Sequence, residues 1–215
     1  MNRSAAIKIL AIDDHPLFRK GVSDLVDMDD SMELVGEAAN GIDGLQLAKE
    51  LNPDFILLDI NMKRMDGLET LAAIKDANID ARVLMLTVSD NEDDVIAALR
   101  IGADGYLLKD MEPEDILSSL RQAADGKVVI SQRLTQLLAH ALKENKQTVG
   151  TTPAASLTDR ELEILELVAQ GLSNKIIASR LGISEGTVKV HVKHLLKKLN
   201  LHSRVEAAVW ALSNL

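Results

Sequence analysis

Over the first 125 residues, short apolar runs alternate with stretches of helical spacing. The runs Ile7 to Ile12, Leu34 to Val35, Phe55 to Leu58, Val83 to Val88 and Tyr106 to Leu108 are too short for helices. The longer ones are too continuously apolar for strands with one wet face, and they read as parallel strands covered on both sides. Between them Leu17, Val22, Leu25 and Val26 recur at helical spacing, as do Leu45, Leu47 and Leu51, then Leu68, Leu71 and Ile74, then Val95, Ile96 and Leu99, then Ile116, Leu117 and Leu120. Five repeats of strand then helix predict a doubly wound α/β domain with a five-stranded parallel sheet.

The pattern changes beyond residue 130. Ser131 to Asn145 carries Leu134, Leu137, Leu138 and Leu142 on one face and predicts a helix capped by Ser131. Lys146 to Ala155 is polar and small, with a Gly and a Pro, and reads as a flexible linker. Thr158-Asp159-Arg160-Glu161 has the spacing of a capping box, opening a helix with Leu162, Leu165, Val168 and Ala169 in one stripe. Ser173 and Ser184 are candidate caps of two further helices separated by the turn Gly182-Ile183, the second running to about Leu199. A last helix from Ser203 carries Val205, Ala208, Val209 and Leu212. Four short helices with a glycine turn between the second and third predict an all-α helix-turn-helix unit. The expected division is 1–130 for the α/β domain, 131–156 for helix and linker, and 157–215 for the helical domain.

Charge separates the two parts. The chain of 215 residues has a net charge of −9, made up of −13 over residues 1–130 and +4 over residues 131–215. From Gly171 to Arg204 there are seven Lys or Arg and a single acid, Glu185. An acidic and a basic domain suggest two jobs. The absence of cysteine excludes disulfides and thiolate metal sites. No apolar run approaches the roughly 18 residues of a membrane span, so a cytoplasmic protein without a membrane partner is expected.

Asp13 and Asp14, Asp59, Thr87 and Lys109 each fall at or just beyond the carboxyl end of a predicted strand, where such sheets bind ligands. Each alone is unremarkable, since Asp at a strand end is usually a turn former or helix cap. The set is different. Two unit charges about 4 Å apart repel by roughly 4 kcal/mol at an effective dielectric near 20, so the carboxylates predict a divalent cation. Hard oxygen ligands beside an incoming phosphate favour Mg²⁺. Asp59 is the expected nucleophile, Lys109 and the ion the neutralisers of the transferring phosphoryl group, and Thr87 a hydrogen-bond donor to one of its oxygens.

Residues 5 to 127 resemble the receiver domains of two-component response regulators. The resemblance is carried by Asp13-Asp14-His15-Pro16, Leu58-Asp59-Ile60-Asn61-Met62, Met65-Asp66-Gly67, Thr87 and Gly102-Ala103-Asp104-Gly105-Tyr106-Leu107-Leu108-Lys109. It implies a flavodoxin-like fold with strand order 2-1-3-4-5, phosphorylation of Asp59 by a sensor histidine kinase, and Mg²⁺ held by Asp14, Asp59 and the main-chain carbonyl of Asn61, with Asp13 assisting. It also implies that Thr87 and Tyr106 act as switch residues. Two positions depart from the pattern. Lys63 stands where many receivers have Pro, and Asp110 follows Lys109 where many have a cis-Pro. The alternative chemistry is a phosphohydrolase with an aspartyl nucleophile, which would need a second Asp as acid and base. That position is Asn61, which cannot transfer a proton, so a phosphoaspartate is expected to persist.

In the third helix of the basic part Val188, Val192, Leu195 and Leu199 share one face, while Lys189, Lys193 and Lys197 recur on another beside Val190 and His194. A charged stripe opposite an apolar one is most often a solvated surface. Here it follows a short helix and glycine turn and lacks balancing acids, as a helix entering a major groove would. None of the four aromatics, Phe18, Phe55, Tyr106 and Trp210, lies on this helix, so base stacking on single strands or RNA is not expected. Double-stranded operator DNA is the expected partner. Leu157 to Val209 resembles the DNA-binding domain of the LuxR/FixJ group, through Leu157 to Glu161, Gly171-Leu172-Ser173-Asn174-Lys175, Ile183-Ser184, Thr187 to His191 and Lys198-Leu199. Ile176 replaces a Glu frequent in that group. The resemblance implies that Lys189, Val190 and Lys193 reach base edges and that Lys175, Thr187 and Lys197 fix the backbone. Within the NarL/FixJ family, Gly105 to Asp110, Glu112 to Glu114, Lys189 to Lys198 and Ser203 to Ala208 resemble the nitrate/nitrite response regulators of the NarL/NarP type.

The expected function is therefore a phosphorylation-activated transcription regulator and not an enzyme, apart from assisting the gain and loss of its own phosphate at Asp59. The unphosphorylated receiver is expected to cover the recognition helix across a linker of about ten residues spanning on the order of 17 Å. Release would let Val205, Ala208, Val209 and Leu212 pair two copies as a homodimer on DNA, with RNA polymerase a further candidate partner. A protein-interaction adaptor whose basic domain meets an acidic partner is the alternative of a different class.

Overall fold

The computed structural model describes residues 6–88, 91–124, 129 and 157–215. The expected helix over Ser131 to Asn145 and the linker that follows lie outside these residues. By Cα proximity the chain divides into two compact units, Met1–Asn91 with Gly105–Leu120, and Glu92–Asp104 with Arg121–Leu215.

Strands β1 (Ile7–Ile12), β2 (Met32–Ala38), β3 (Phe55–Asp59), β4 (Arg82–Thr87) and β5 (Gly105–Leu108) alternate with helices α1 (Pro16–Val26), α2 (Gly41–Leu51), α3 (Gly67–Asp76), α4 (Glu92–Ile101) and α5 (Pro113–Ala124). All pairings are parallel, and the sheet order is β2-β1-β3-β4-β5. The order reverses direction between β1 and β3, so their carboxyl ends lie at the switch point where sheets of this kind bind ligands. Ile9, Leu10, Ile12, Ile56, Leu57, Leu58, Leu84, Met85 and Leu86 are essentially inaccessible. This is why those strands read as continuous apolar runs.

Three expectations of detail shift. Strand β2 extends well beyond Leu34 to Val35, because an edge strand tolerates the exposed Glu33 and Glu37 that hide it in a hydropathy pattern. Strand β4 stops at Thr87, leaving Val88 exposed. In α1 the buried face is Val22, Leu25 and Val26, while Leu17 in the first turn is 89% exposed. Among the described residues no peptide bond is cis, so the bond after Lys109 is trans.

The C-terminal helices are α6 (Asp159–Ala169), α7 (Asn174–Leu181), α8 (Glu185–Leu199) and α9 (Arg204–Asn214). Each begins at an expected cap: Thr158, Ser173, Ser184 and Ser203 accept from the backbone N–H three residues on. Gly182 sits at φ 64° as the C-cap of α7, a left-handed turn that glycine makes without a side-chain clash. Ile164, Leu165, Val168, Ile177, Val188, Val192, Leu195, Leu199 and Trp210 form the core. Among the described residues no helix is long and apolar enough to cross a membrane.

Candidate functional site

The carboxyl ends of β1 and β3 and the residue after β5 deliver three carboxylates and one ammonium to one point. Asp13 and Asp59 are 2% and 1% exposed. Lys109 Nζ lies 2.7 Å from Asp13 Oδ2 and 2.9 Å from Asp59 Oδ2, and 4.7 Å from the centre of the Phe18 ring, a distance at which a cation is attracted to the ring face. The backbone completes the frame. His15 N donates to Asp13 Oδ1 at 2.8 Å, Asn61 N to Asp59 Oδ1 at 3.3 Å, and Lys109 N to Thr87 O at 2.8 Å.

Burial pushes the Asp59 carboxyl above the ordinary carboxylate range. The Lys109 ammonium opposes this, the Asp13 charge adds to it, and the Asn61 N–H again opposes it. Asp13 Oδ2, Asp14 Oδ1 and Asp59 Oδ2 are buried without a well-aligned hydrogen-bond donor. For Asp13 and Asp59 the ammonium supplies charge instead. Ligand atoms from Asp13, Asp14, His15 and Asp59 all fall within 4.8 Å of one another. Under-compensated carboxylate oxygens converging at that spacing fit a hard divalent cation.

Thr87 is 1% exposed at the end of β4 and Tyr106 is 3% exposed in β5, so both switch candidates are buried near the same sheet edge. Asn61 is exposed, as are Lys63 and Arg64 in the loop that follows. His15 and Phe18 are the site neighbours that strand-end reasoning did not assign. Their shared signal was position: both lie in the first residues after the Asp13-Asp14 pair, where α1 begins.

On α8 the apolar face turns inward, with Val188, Val192, Leu195 and Leu199 all buried. Lys189, Lys193 and Lys197 are exposed, as are Thr187 and Lys175, and Val190 is 52% exposed. The six expected DNA-contact residues are thus presented outward. The α7–α8 pair is fastened to its neighbours by buried or half-buried ionic groups: Arg160 donates to Leu181 O at 2.9 Å, Arg204 to Asn174 Oδ1 at 2.7 Å and to Leu172 O, and Lys198 to Glu161 Oε2 at 2.6 Å. None of these was singled out as a fastening in the sequence.

The expected pairing face on α9 is mostly covered within the single chain. Val205, Ala208 and Val209 are 0%, 5% and 2% exposed, and only Leu212 is open, at 68%. Apolar residues at helical spacing mark a buried face as readily as a pairing face; in this structure three of the four are interior.

The profile for the response regulator receiver domain matches residues 9–121, and that for bacterial regulatory proteins of the luxR family matches residues 155–211. The nitrate/nitrite response regulator protein NarL of Escherichia coli (strain K12) is 54% identical over 98% of this chain and 97% of its own length. NarP of the same organism, also a nitrate/nitrite response regulator protein, is 46% identical over 97% of this chain and 96% of its own. Among solved structures, the response regulator ChrA of a heme-sensing two-component system aligns with a TM-score of 0.52 at 33% identity, covering 98% of both chains.

Proposed function

This chain belongs to the response regulators that join a receiver domain to a LuxR-type DNA-binding domain, and from that premise we propose that Asp59 accepts a phosphoryl group from a sensor histidine kinase and thereby controls operator binding by α8. The observation that carries this is the placement of Asp59, 1% exposed and 2.9 Å from the Lys109 ammonium, with two further carboxylates beside it.

An Asp59 carboxylate oxygen attacks phosphorus, and the bond from phosphorus to the donor breaks with its electron pair going to the donor. Lys109, already shared between Asp13 and Asp59, moves its charge toward the phosphoryl oxygens as one carboxylate charge is consumed. Asp14, Asp59 and the Asn61 carbonyl, with Asp13 assisting, would hold Mg²⁺. When bound, the ion neutralises charge on the phosphoryl oxygens. The Thr87 hydroxyl donates to one of them, and Tyr106 on the neighbouring strand β5 follows the displacement. Asn61 offers no proton transfer to an attacking water, which favours a phosphoaspartate that outlives its formation.

Nitrate/nitrite control is the input that similarity to two nitrate/nitrite regulators supports, in a cytoplasmic protein. Downstream, Lys189, Val190 and Lys193 read base edges, Lys175, Thr187 and Lys197 hold the backbone, and two copies act on paired half-sites, with RNA polymerase the next partner. Pairing through Val205 and Val209 requires a change that first exposes them. The opposite charges of the two domains, −13 and +4, support covering of the recognition helix by the unphosphorylated receiver.

Incubation with acetyl phosphate and Mg²⁺ should add one hydroxylamine-labile phosphoryl group, absent in Asp59→Asn. Unchanged labelling in that variant removes Asp59 from the mechanism. A fragment from Ala154 to Leu215 should bind operator DNA more tightly than the unphosphorylated whole chain at matched salt. Equal binding overturns the covering and leaves receiver pairing as the switch.

A further inference from the structure

We propose that His15 supplies a nitrogen ligand to the divalent ion of the Asp13–Asp14–Asp59 pocket, so that the pocket discriminates in favour of ions that take imidazole, such as Ni²⁺ and Co²⁺, relative to Mg²⁺. This rests on the pocket's being a cation site, as proposed above.

His15 occupies a position where another residue type is expected. The residue before a helix favours Ser, Thr, Asp or Asn, whose side-chain oxygen accepts from the first turn. His15 stands there with Pro16 behind it and makes no capping bond through its side chain. Its backbone N–H is given to Asp13 Oδ1 at 2.8 Å, which fixes the residue at the rim of the acids.

Ring Nδ1 is 3.0 Å from Asp14 Oδ1, 3.3 Å from Asp13 Oδ1 and 3.8 Å from Asp59 Oδ2. Asp14 Oδ1 is buried and still has no well-aligned donor, so the nitrogen is close without aiming an N–H at that oxygen. These separations suit ligands of one ion. Bonds of about 2.1 Å at right angles put adjacent donor atoms about 3.0 Å apart and opposite ones about 4.2 Å apart. Asp13 and Asp59, each more than nine-tenths buried, contribute oxygens to the same cluster within 4.8 Å, their Oδ2 atoms also facing the Lys109 ammonium. A neutral imidazole would bind through the Nδ1 lone pair and keep its proton on Nε2.

The ligand set then has consequences for selectivity. Carboxylate and carbonyl oxygens alone suit Mg²⁺, whereas an added imidazole favours later first-row ions. An all-oxygen pocket already prefers Ni²⁺ to Mg²⁺ to some degree, so the informative quantity is how that preference changes when the ring is removed.

The test uses the full chain and its His15→Ala and His15→Gln variants, titrated calorimetrically with Mg²⁺ alone and with Ni²⁺ alone. Only Ni²⁺ that Mg²⁺ displaces is counted, which keeps the other four histidines out of the result. In both variants the ratio of Ni²⁺ to Mg²⁺ affinity should fall by on the order of tenfold or more, while Mg²⁺ affinity changes by less than about threefold. With Co²⁺, shifted imidazole proton signals should appear in the parent chain and vanish in His15→Ala. An unchanged ratio overturns the proposal. So does equal tightening of both ions, which would make His15 a counter-ion that competes with the metal. If the parent chain binds neither ion, or if Asp14→Ala leaves Mg²⁺ binding unaltered, the cation site itself is lost and the proposal with it.

Discussion

Gly67 packs against the main chain of Asp59. A Cβ built on Gly67 would stand 2.2 Å from the Asp59 carbonyl oxygen and 2.6 Å from the Ile60 Cα, inside any real contact distance. Gly67 N donates to Ile60 O at 2.9 Å, so the start of α3 and the end of β3 are held together at the residue that carries the chemistry. Gly67→Ala should therefore push on Asp59 itself. The expected result is a loss of about 1 to 3 kcal/mol of receiver stability, together with slower labelling by acetyl phosphate. Normal stability with normal labelling would show that the loop gives way at no cost.

The α/β alternation and the convergence of Asp13, Asp14, Asp59 and Lys109 were legible because each rests on a local pattern, whereas the strand order came only from the resemblance to receiver domains. A buried parallel strand is a continuous apolar run, and a polar residue at its end has one place to go. Strand β2 was less legible because an edge strand needs only half a core. The close approach of Gly67 to Asp59 is invisible to periodicity, since it depends on how two elements meet. The face of α9 is ambiguous in the sequence for a related reason. Val205, Ala208 and Val209 show that an apolar surface is waiting for a partner or already has one, and spacing alone does not say which. Ion pairs such as Lys198 with Glu161, separated by 37 positions, leave no sequence trace.

Removing the charge of Asp59 should stabilise the receiver. Burial holds that carboxyl above the ordinary range, with Lys109 opposing and the Asp13 charge adding. A raised pKa in the folded state means that the folded protein binds more protons, so this group's contribution falls as pH rises from the unfolded pKa through the folded one. Without added cation, Asp59→Asn should melt higher at pH 7 than the parent chain, by roughly 2 to 4 °C if the relief is on the order of 1 kcal/mol. The gap should close as pH is lowered through the carboxylate range. A lower melting temperature at pH 7 would show that the Lys109 pair outweighs the burial.

Glu161 behaves in the opposite sense. Burial would raise its pKa, but Lys198, the Thr158 N–H and the Thr158 hydroxyl converge on it and hold it down to about 2 from an ordinary 4.5. A depressed folded pKa contributes stability that is present above the unfolded value and lost as pH falls through the folded one, here between about 4.5 and 2. Glu161→Gln should cost the helical domain about 1 to 2 kcal/mol at neutral pH, with the difference fading across that window. Trp210, the only tryptophan and 3% exposed in this domain, reports the transition by fluorescence. A difference that persists at pH 2 would assign the loss to packing and not to charge.

Lys193 and Lys197 are both exposed on α8, but they are expected to touch different parts of the duplex. A base contact discriminates, whereas a phosphate contact adds affinity on every sequence. Lys193→Ala should weaken binding to a specific operator by about 1 to 3 kcal/mol and relax preference at one base pair, with little change on random duplex. Lys197→Ala should weaken both duplexes alike and reduce the slope of log affinity against log salt by about 1. Val188, Val192, Leu195 and Leu199 anchor the helix from its other side, so neither exposed lysine is needed for folding, and unaltered Trp210 emission should confirm this in both variants. Titration of one operator and one scrambled duplex at several salt concentrations separates the two roles. If Lys193→Ala loses affinity equally on both duplexes, the residue is a backbone contact, and base recognition on α8 falls to Lys189 and Val190.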